Sequence, residues 1–344
     1  MVAYMGVNDL RSLIEHVGME PFLKMLAERV EDDFRRWNEF DKAPRYASHS
    51  PDGVIELMPA ADQQRFAFKY VNGHPKNTRH GLQTVAAFGV LADVDTGYPL
   101  LLSEMTLLTA LRTAATSVVA ARHLTRDDCR TMALIGTGAQ SEFQALAFRA
   151  LLGIDKLRIW DVDARAMAKF EANMAGQGIS IFRARSAEEA VSGADIITTV
   201  TADKKNATIL SGNMVGSGVH INAVGGDCPG KTELGSEILE RSSVFVEYPE
   251  QTRIEGEIQQ MPDDFPVTEL WRVIAGEERG RTSLSQVTVF DSVGFAIEDF
   301  SVLNLVYDLM SAQDKSRQLD LIVEPGDPRD LFGLLKNAPS RAAA

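Results

Sequence analysis

The run Met132-Ala133-Leu134-Ile135-Gly136-Thr137-Gly138-Ala139-Gln140-Ser141 takes an apolar stretch through two glycines into a helical one. Gly136 permits a tight turn, and Gly138 lets the backbone approach a pyrophosphate. The helix that follows offers that pyrophosphate unpaired N–H groups and a partial positive charge. Ser141 stands where the usual fingerprint has a third glycine, small enough for close packing but a departure from the pattern. Asp161 closes the next apolar stretch about 20 residues on, where an acid accepts from the adenosine ribose hydroxyls. A carboxylate there repels a 2′-phosphate, which favours NAD, while Arg165 nearby keeps NADP open. The plainer account is a glycine turn in a protein that binds no nucleotide. The strand-turn-helix-strand context weighs against it.

A second set of residues has the chemistry to hold an amino acid. Lys69 lies in Phe66-Ala67-Phe68-Lys69-Tyr70-Val71, where alternation puts the three aromatics on one face and Lys69 with Ala67 and Val71 on the other. Arg45 begins an earlier extended segment, Glu56 interrupts Val54-Ile55-Glu56-Leu57-Met58, and Arg112 lies on a helix. Singly, each is better explained as a solvated face or a surface ion pair. Together, three cations match an amino-acid carboxylate. The run Asn222-Ala223-Val224-Gly225-Gly226-Asp227-Cys228-Pro229-Gly230-Lys231 follows an apolar stretch. Its glycines let backbone approach a flat ring, and Asp227 offers a carboxylate for proton transfer. A turn whose Asp caps a backbone N–H is the competing account. His49, His74 and His80 lack metal-site spacing, so no zinc is expected. The sequence sets no His or other base beside Cys228 in a nucleophile pattern, and it reads as packing.

The elements that must position these residues fall into two patterns. In the first third, Phe22, Leu26, Val30, Phe34 and Trp37 recur at helical spacing. Extended segments follow at Arg45–Ser50, Gly53–Met58 and Arg65–Val71, and Gln83–Asp95 and Tyr98–Ser103 flank a Thr96-Gly97 turn, giving an antiparallel sheet. Met105–Leu124 has no Gly or Pro and reads as one long helix. Its polar stripe Thr109, Arg112, Thr113 and Thr116 faces either solvent or a polar cavity. From Thr131, strands alternate with helices: Met132–Gly136, Leu157–Asp161, Asp195–Thr201, His220–Gly225, Val244–Tyr248 and Val287–Asp291. Helices are expected at Ser141–Leu152 and at Ser186–Val191, the latter opened by a Ser186/Glu189 capping box. That pattern predicts a parallel sheet covered on both faces. A last helix, Phe295–Met310, is expected to return to the first region. The fold class is therefore α/β: a Rossmann-type parallel-sheet domain over 126–294, plus an α+β domain with an antiparallel sheet over 1–125, completed by about 295–344.

Composition narrows the function. With 344 residues, 45% hydrophobic, and a net charge of −13, the chain reads as a soluble two-domain protein and not a nucleic-acid binder. Two cysteines make no disulfide framework, which suits a reducing compartment. With no signal-peptide pattern and no apolar run near the roughly 18–20 residues of a membrane span, a cytoplasmic location is expected.

Further stretches stand beside those above: Ala47-Ser48-His49-Ser50, Asn72-Gly73-His74-Pro75, Ala110-Leu111-Arg112-Thr113-Ala114-Ala115-Thr116 and Gln251-Thr252-Arg253-Ile254-Glu255-Gly256-Glu257-Ile258-Gln259-Gln260. From about Asp33 to about Asp299, these segments together resemble the ornithine cyclodeaminase and mu-crystallin family, and the run Gly226–Lys231 is the more specific motif. The resemblance implies a homodimer pairing through the substrate domain, with NAD on the Rossmann domain. It implies that Arg45, Lys69 and Arg112 grip the substrate carboxylate and that Val293 borders the substrate. Asp227 would be the catalytic carboxylate, with Glu56 helping it receive the distal ammonium. Cofactor contacts would fall on Thr84, Arg112, Gly136, Gly138, Ala139, Gln140, Asp161, Thr201, Ile221, Asn222, Ala223, Val224, Lys231 and Ser292. The implied activity closes ornithine into proline with loss of ammonia. Hydride leaves Cα and later returns, so NAD is not consumed. Lysine cyclisation, an amino-acid dehydrogenase, a cyclic-imine reductase and a non-catalytic crystallin-like binding protein are the alternatives on this scaffold.

Overall fold

Val2–Met5 is a strand (β1), an element the helical reading of the N-terminal third passes over because four residues show no periodicity before a helix begins. The computed structural model describes residues 1–202, 208–313 and 317–336. Helices α1 (Val7–Val17) and α2 (Met19–Arg35) follow. The meander comes next: β2 (Asp41–Lys42), β3 (Tyr46–Ser50), β4 (Gly53–Ala61), β5 (Arg65–Gly73), β6 (Ala87–Asp93) and β7 (Pro99–Glu104). Together with β16 (Arg317–Leu319) near the C-terminus, these form an eight-stranded sheet ordered β16-β1-β7-β6-β5-β4-β2, with β3 also on β4. The meander pairs antiparallel as expected, but β1 lies parallel to β7, so the sheet is mixed. On β5 the aromatics point outward, while Ala67, Lys69 and Val71 are buried.

Helix α3 (Thr106–Leu124) buries its polar stripe as well as its apolar one: Thr109, Arg112, Thr113 and Thr116 are all inside. Between the two alternatives for that stripe, the interior is the outcome. The chain then enters the second sheet: β8 (Thr131–Ile135), α4 (Ser141–Leu152), β9 (Lys156–Trp160), α5 (Ala164–Met174), β10 (Ser180–Arg183), α6 (Ala187–Val191), β11 (Ile196–Thr199) and β12 (His220–Ala223). It continues through α7 (Ser236–Glu240), β13 (Ser243–Val246), α8 (Pro249–Glu255), β14 (Thr268–Glu269), α9 (Leu270–Ile274) and β15 (Thr288–Asp291). All pairings in this sheet are parallel, in the order β10-β9-β8-β11-β12-β15-β13-β14. Order reverses between β8 and β11, which makes the crevice beyond their carboxyl ends the expected ligand site. The Ser186 cap of α6 does accept from Glu189 N–H (3.0 Å). The reciprocal half of the box is replaced, because the Glu189 carboxylate takes Arg185 N–H instead (2.6 Å).

Helix α10 (Ala296–Gln313) packs back against α2, α3 and strands of the first sheet, and a short helix α11 (Leu331–Lys336) lies near the C-terminus. One apolar cluster runs from α2 and the first sheet through α3 and α10 to one face of the second sheet. Trp37 stitches that junction, packing on Phe295 (5.3 Å between rings), Tyr248 (6.3 Å) and Trp271 (6.4 Å, stacked). A continuous core across both sheets gives residues on β5, α3 and α10 a fixed relation to the carboxyl edge of β12 and β15.

Candidate active site

At the end of β8, Gly136 adopts φ +96°, and a Cβ there would come within 2.9 Å of Val200 O on the β11 side of the crevice. Only glycine fits that turn. Gly138 has open space where a side chain would stand, as a backbone that must meet a bulky anion requires. Ser141 explains its own departure from the glycine pattern: its hydroxyl donates to Gly138 O (2.8 Å) and locks the turn. Asp161 Oδ2 accepts from Thr137 N–H (2.7 Å) and Thr137 Oγ1–H (3.0 Å), and Oδ1 accepts from Asp163 N–H (2.8 Å). This acid braces the glycine turn while facing a cavity of about 590 Å³ lined also by Trp160, Val162, Met167, Arg183 and Arg185. Arg183 and Arg185 pair with Glu171 and Glu189, so the carboxylate sets the charge where a ribose would lie. The turn, the open approach and the acid fit a dinucleotide.

The substrate-type residues converge under the first sheet. Lys69 Nζ on β5 lies 2.9 and 2.8 Å from the two oxygens of Asp299 on α10. Arg112 Nε on α3 donates to the same Asp299 (3.0 Å), and its Nη1 pairs with Glu298. Arg45, just before β3, pairs with Glu56 on β4 (3.2 Å) and Glu255 on α8 (3.1 Å), and donates to Val293 O (2.6 Å) and Gly294 O (2.7 Å). Lys69, Asp299 and Glu298 are each at most 1% exposed, and Arg112 is 5% exposed. Burying cations this deeply is tolerated because each has an acid, and acids are in excess there. Burial, with Arg112 beside it, pulls the Lys69 ammonium down to about 8. If Lys69 grips an anionic substrate, that ammonium is present at pH 7 and lost as pH rises through 8. The apparent KM for an amino acid is therefore expected to climb several-fold between about pH 8 and 9.5, with no matching fall in kcat. A flat KM across that range in initial-rate measurements contradicts a charged Lys69 in the grip.

Asp227 sits beyond β12 with its side chain 55% exposed, and Lys231 Nζ is 3.4 Å away. Lys231 is otherwise buried and donates to Thr201 O (2.8 Å), which ties this loop to the crevice at β11. Thr201 Oγ1 in turn bonds Glu233. The Asp227 carboxylate is also near enough to Arg45 and Glu255 to act on both electrostatically. The loop's glycines have close neighbours within the protein. A Cβ on Gly225 would strike the Glu233 carboxylate (2.2 Å), and one on Gly226 that of Glu257 (2.6 Å). Buried acids by themselves require glycine at those two positions.

The remaining expected contacts divide by position. Ser292 N–H donates to Ala223 O (3.0 Å), so the ends of β12 and β15 meet, and Val293 follows directly. Gln140 caps α4 with its Oε1 buried and without a hydrogen-bond partner, and Ala139 precedes it in the same turn. Ile221 and Ala223 turn their side chains into an apolar core, leaving only backbone for a ligand. Asn222 points into a buried network with His220 (3.2 Å) and Thr198 (3.4 Å). Thr84 O accepts from His74 N–H (2.8 Å) within the loop joining β5 and β6. Sequence reasoning missed three acids that pair with the cations: Glu255, Glu298 and Asp299. The signal was there in one case, since Glu298-Asp299 interrupts the otherwise apolar Val293–Val302. Among the described residues, no group of His, Cys, Asp and Glu has a metal-binding arrangement.

Comparison with known proteins bears on the chain's family and fold. The model of the ornithine cyclodeaminase/mu-crystallin family matches residues 7–314. An ornithine cyclodeaminase of Brucella suis biovar 1 is 64% identical over 335 residues, covering 97% of this chain and 94% of that protein. A structure described as the basis for recognition of L-lysine, L-ornithine and L-2,4-diaminobutyric acid by lysine cyclodeaminase superposes with a TM-score of 0.91 at 32% identity, covering 97% of this chain and 99% of that one. An archaeal alanine dehydrogenase dimer with bound NAD gives 0.85 at 32% identity, over 93% and 99% of the two chains.

Proposed function

The chain belongs to the ornithine cyclodeaminase/mu-crystallin family, and we propose that it closes L-ornithine into L-proline with release of ammonia, using NAD as an internal hydride carrier. The observation that carries this reading is a set of features: buried Arg45, Lys69 and Arg112 with their acids, Asp227 in electrostatic reach of Arg45, and a glycine turn braced by Asp161. NAD, when bound, takes hydride from Cα of the substrate and gives it back after the ring has closed. The chain's own residues do the rest. Arg45, Lys69 and Arg112 hold the substrate carboxylate, and Val293 borders it. Asp227, with Glu56, receives the distal ammonium, and the Asp227 carboxylate takes a proton from that nitrogen so that its lone pair can attack Cα. The departing α-nitrogen needs a proton to leave as ammonia, and the one held on Asp227 balances that demand. Burial of the cluster keeps water from the oxidised carbon, where it would release a 2-oxo acid instead.

Asp161, Gly136, Gly138 and Gln140 hold the dinucleotide in this reading, with Thr84, Ala139, Thr201, Lys231, Ser292 and the segment 221–224 around it and Arg112 at the junction with the substrate. The test is a balance of products: L-ornithine and NAD with purified protein yield equal proline and ammonia and no accumulating NADH. Stoichiometric NADH with a 2-oxo acid would make the protein a dehydrogenase.

The assembly we infer is a homodimer paired through the outer face of the first sheet. That face leaves Tyr46, Ile55, Leu57, Phe66 and Phe88 substantially exposed, with Tyr70 stacked on Phe88 (5.0 Å), a cluster of large apolar side chains that a partner would cover. Light scattering is expected to give twice the chain mass of 37.7 kDa; a monomer at micromolar concentration contradicts the pairing. No described helix is long and apolar enough to cross a membrane, and a cytoplasmic location suits the reading.

A further inference from the structure

Glu247 is fully buried and takes no part in the chemistry above. It follows β13, whose last residue Val246 is in register with Asp291 at the end of β15. Glu247 and Ser292 therefore meet at the carboxyl edge of the parallel sheet, where ligands bind. One carboxylate gathers donors from three successive residues: Oε1 accepts from Ser292 Oγ–H (2.7 Å) and Gly294 N–H (3.1 Å), and Val293 N–H approaches Oε2 (3.4 Å).

The turn so held touches the end of β12 and two of the three cations. Ser292 N–H bonds Ala223 O at the end of β12. Val293 O and Gly294 O carry the Arg45 guanidinium. Gly294, at φ +75°, lies so close to Arg112 that a Cβ would come 2.5 Å from its Nη1. We infer that Glu247 is a positioning residue: by fixing the 292–294 turn it holds the cofactor side and the carboxylate-gripping arginines in one register. The roles of Arg45, Arg112 and Ser292 in this inference rest on the proposed function; the hydrogen bonds of Glu247 do not. Hydride transfer needs reacting atoms about 3–3.5 Å apart, and a misplacement of about 1 Å costs on the order of 10²-fold in rate. Burial and the neighbouring Glu298 push Glu247 up to about 8, so a neutral side chain of the same shape is a close substitute near pH 7.

Three variants test this. Glu247→Ala removes every acceptor, Glu247→Asp withdraws it by one methylene, and Glu247→Gln keeps a carbonyl oxygen where Oε1 stands. Expected are a KM for ornithine raised about tenfold, kcat lowered 10- to 100-fold and weaker NAD binding in Glu247→Ala and Glu247→Asp. Glu247→Gln should stay within about threefold of the parent. If Glu247→Ala does not fold, the contrast between Asp and Gln decides the same question. Variants that lose thermal stability alone, with parental KM, kcat and NAD affinity, overturn the positioning role. NAD titration by fluorescence reads the turn without turnover. Parent protein inactive on ornithine would sink the proposed function, while NAD affinity lost in Ala and Asp and kept in Gln would still uphold the role of Glu247.

Discussion

Asp227→Ala is expected to lower kcat on ornithine by about 10³-fold, within the range that removal of a general acid–base group produces. NAD affinity should change little, because the glycine turn is braced by Asp161 and not by the loop that carries Asp227. The loss is large because no neighbour can take over. Glu56 and Glu255 are engaged with Arg45 at 3.2 and 3.1 Å, and Glu233 is tied to Thr201. Asp227, with over half its side chain exposed and Lys231 Nζ at 3.4 Å, is a carboxylate open to a distal amine. Asp227→Asn keeps the shape and should be nearly as damaging, since an amide takes no proton. Steady-state rates on folded variants check this, and kcat within about tenfold of the parent would remove Asp227 from its role.

Arg112→Met is expected to be the most destabilising single change in the site. Its guanidinium is the partner of Glu298 and shares Asp299 with Lys69. Removing one member of a buried ion pair strands the other, at a cost of about 3–5 kcal/mol. The pH dependence has a definite sign. Burial already raises Glu298 above its ordinary value, with Arg112 the main opposing influence. Without Arg112, the folded-state value rises further above the unfolded one, so the stability Glu298 contributes is full at low pH and lost as pH climbs through its folded value. The deficit of the variant relative to the parent should therefore widen from pH 5 to pH 8 in denaturant unfolding. An equal deficit at both values contradicts an ionised Glu298–Arg112 pair. Ornithine binding should weaken at the same time if, as proposed, Arg112 is one of three cations on the carboxylate.

What could be read before the structure depended on whether the information was local. The glycine turn, its acid about 20 residues on and the alternation that buries Lys69 are patterns of neighbours in sequence, and each fixes a face or a strand end. The stripe on α3 was visible for the same reason, but its direction was not, since a helix carrying Thr109, Arg112 and Thr116 suits either water or a polar interior. Only the packing of α2, α4 and α10 around it decides. The acids paired with Lys69 and Arg112 come from positions 230 and 187 residues away, beyond any local pattern. Gly225 and Gly226 record that something comes close, and Glu233 and Glu257 are the protein groups that do. Strand β1 was too short to announce itself, and its parallel pairing to β7 is a long-range choice.

The central claim is that the carbon oxidised is Cα and that its hydride returns to the same carbon. L-Ornithine carrying deuterium at Cα and ¹⁵N on the α-amine tests both parts in one reaction with NAD. The account predicts that the label nitrogen appears in ammonia, that proline is formed around the distal nitrogen, and that proline keeps the deuterium. Oxidation at the distal carbon would leave ¹⁵N in proline, and exchange of the hydride with an outside pool would replace deuterium by protium; either result contradicts the account.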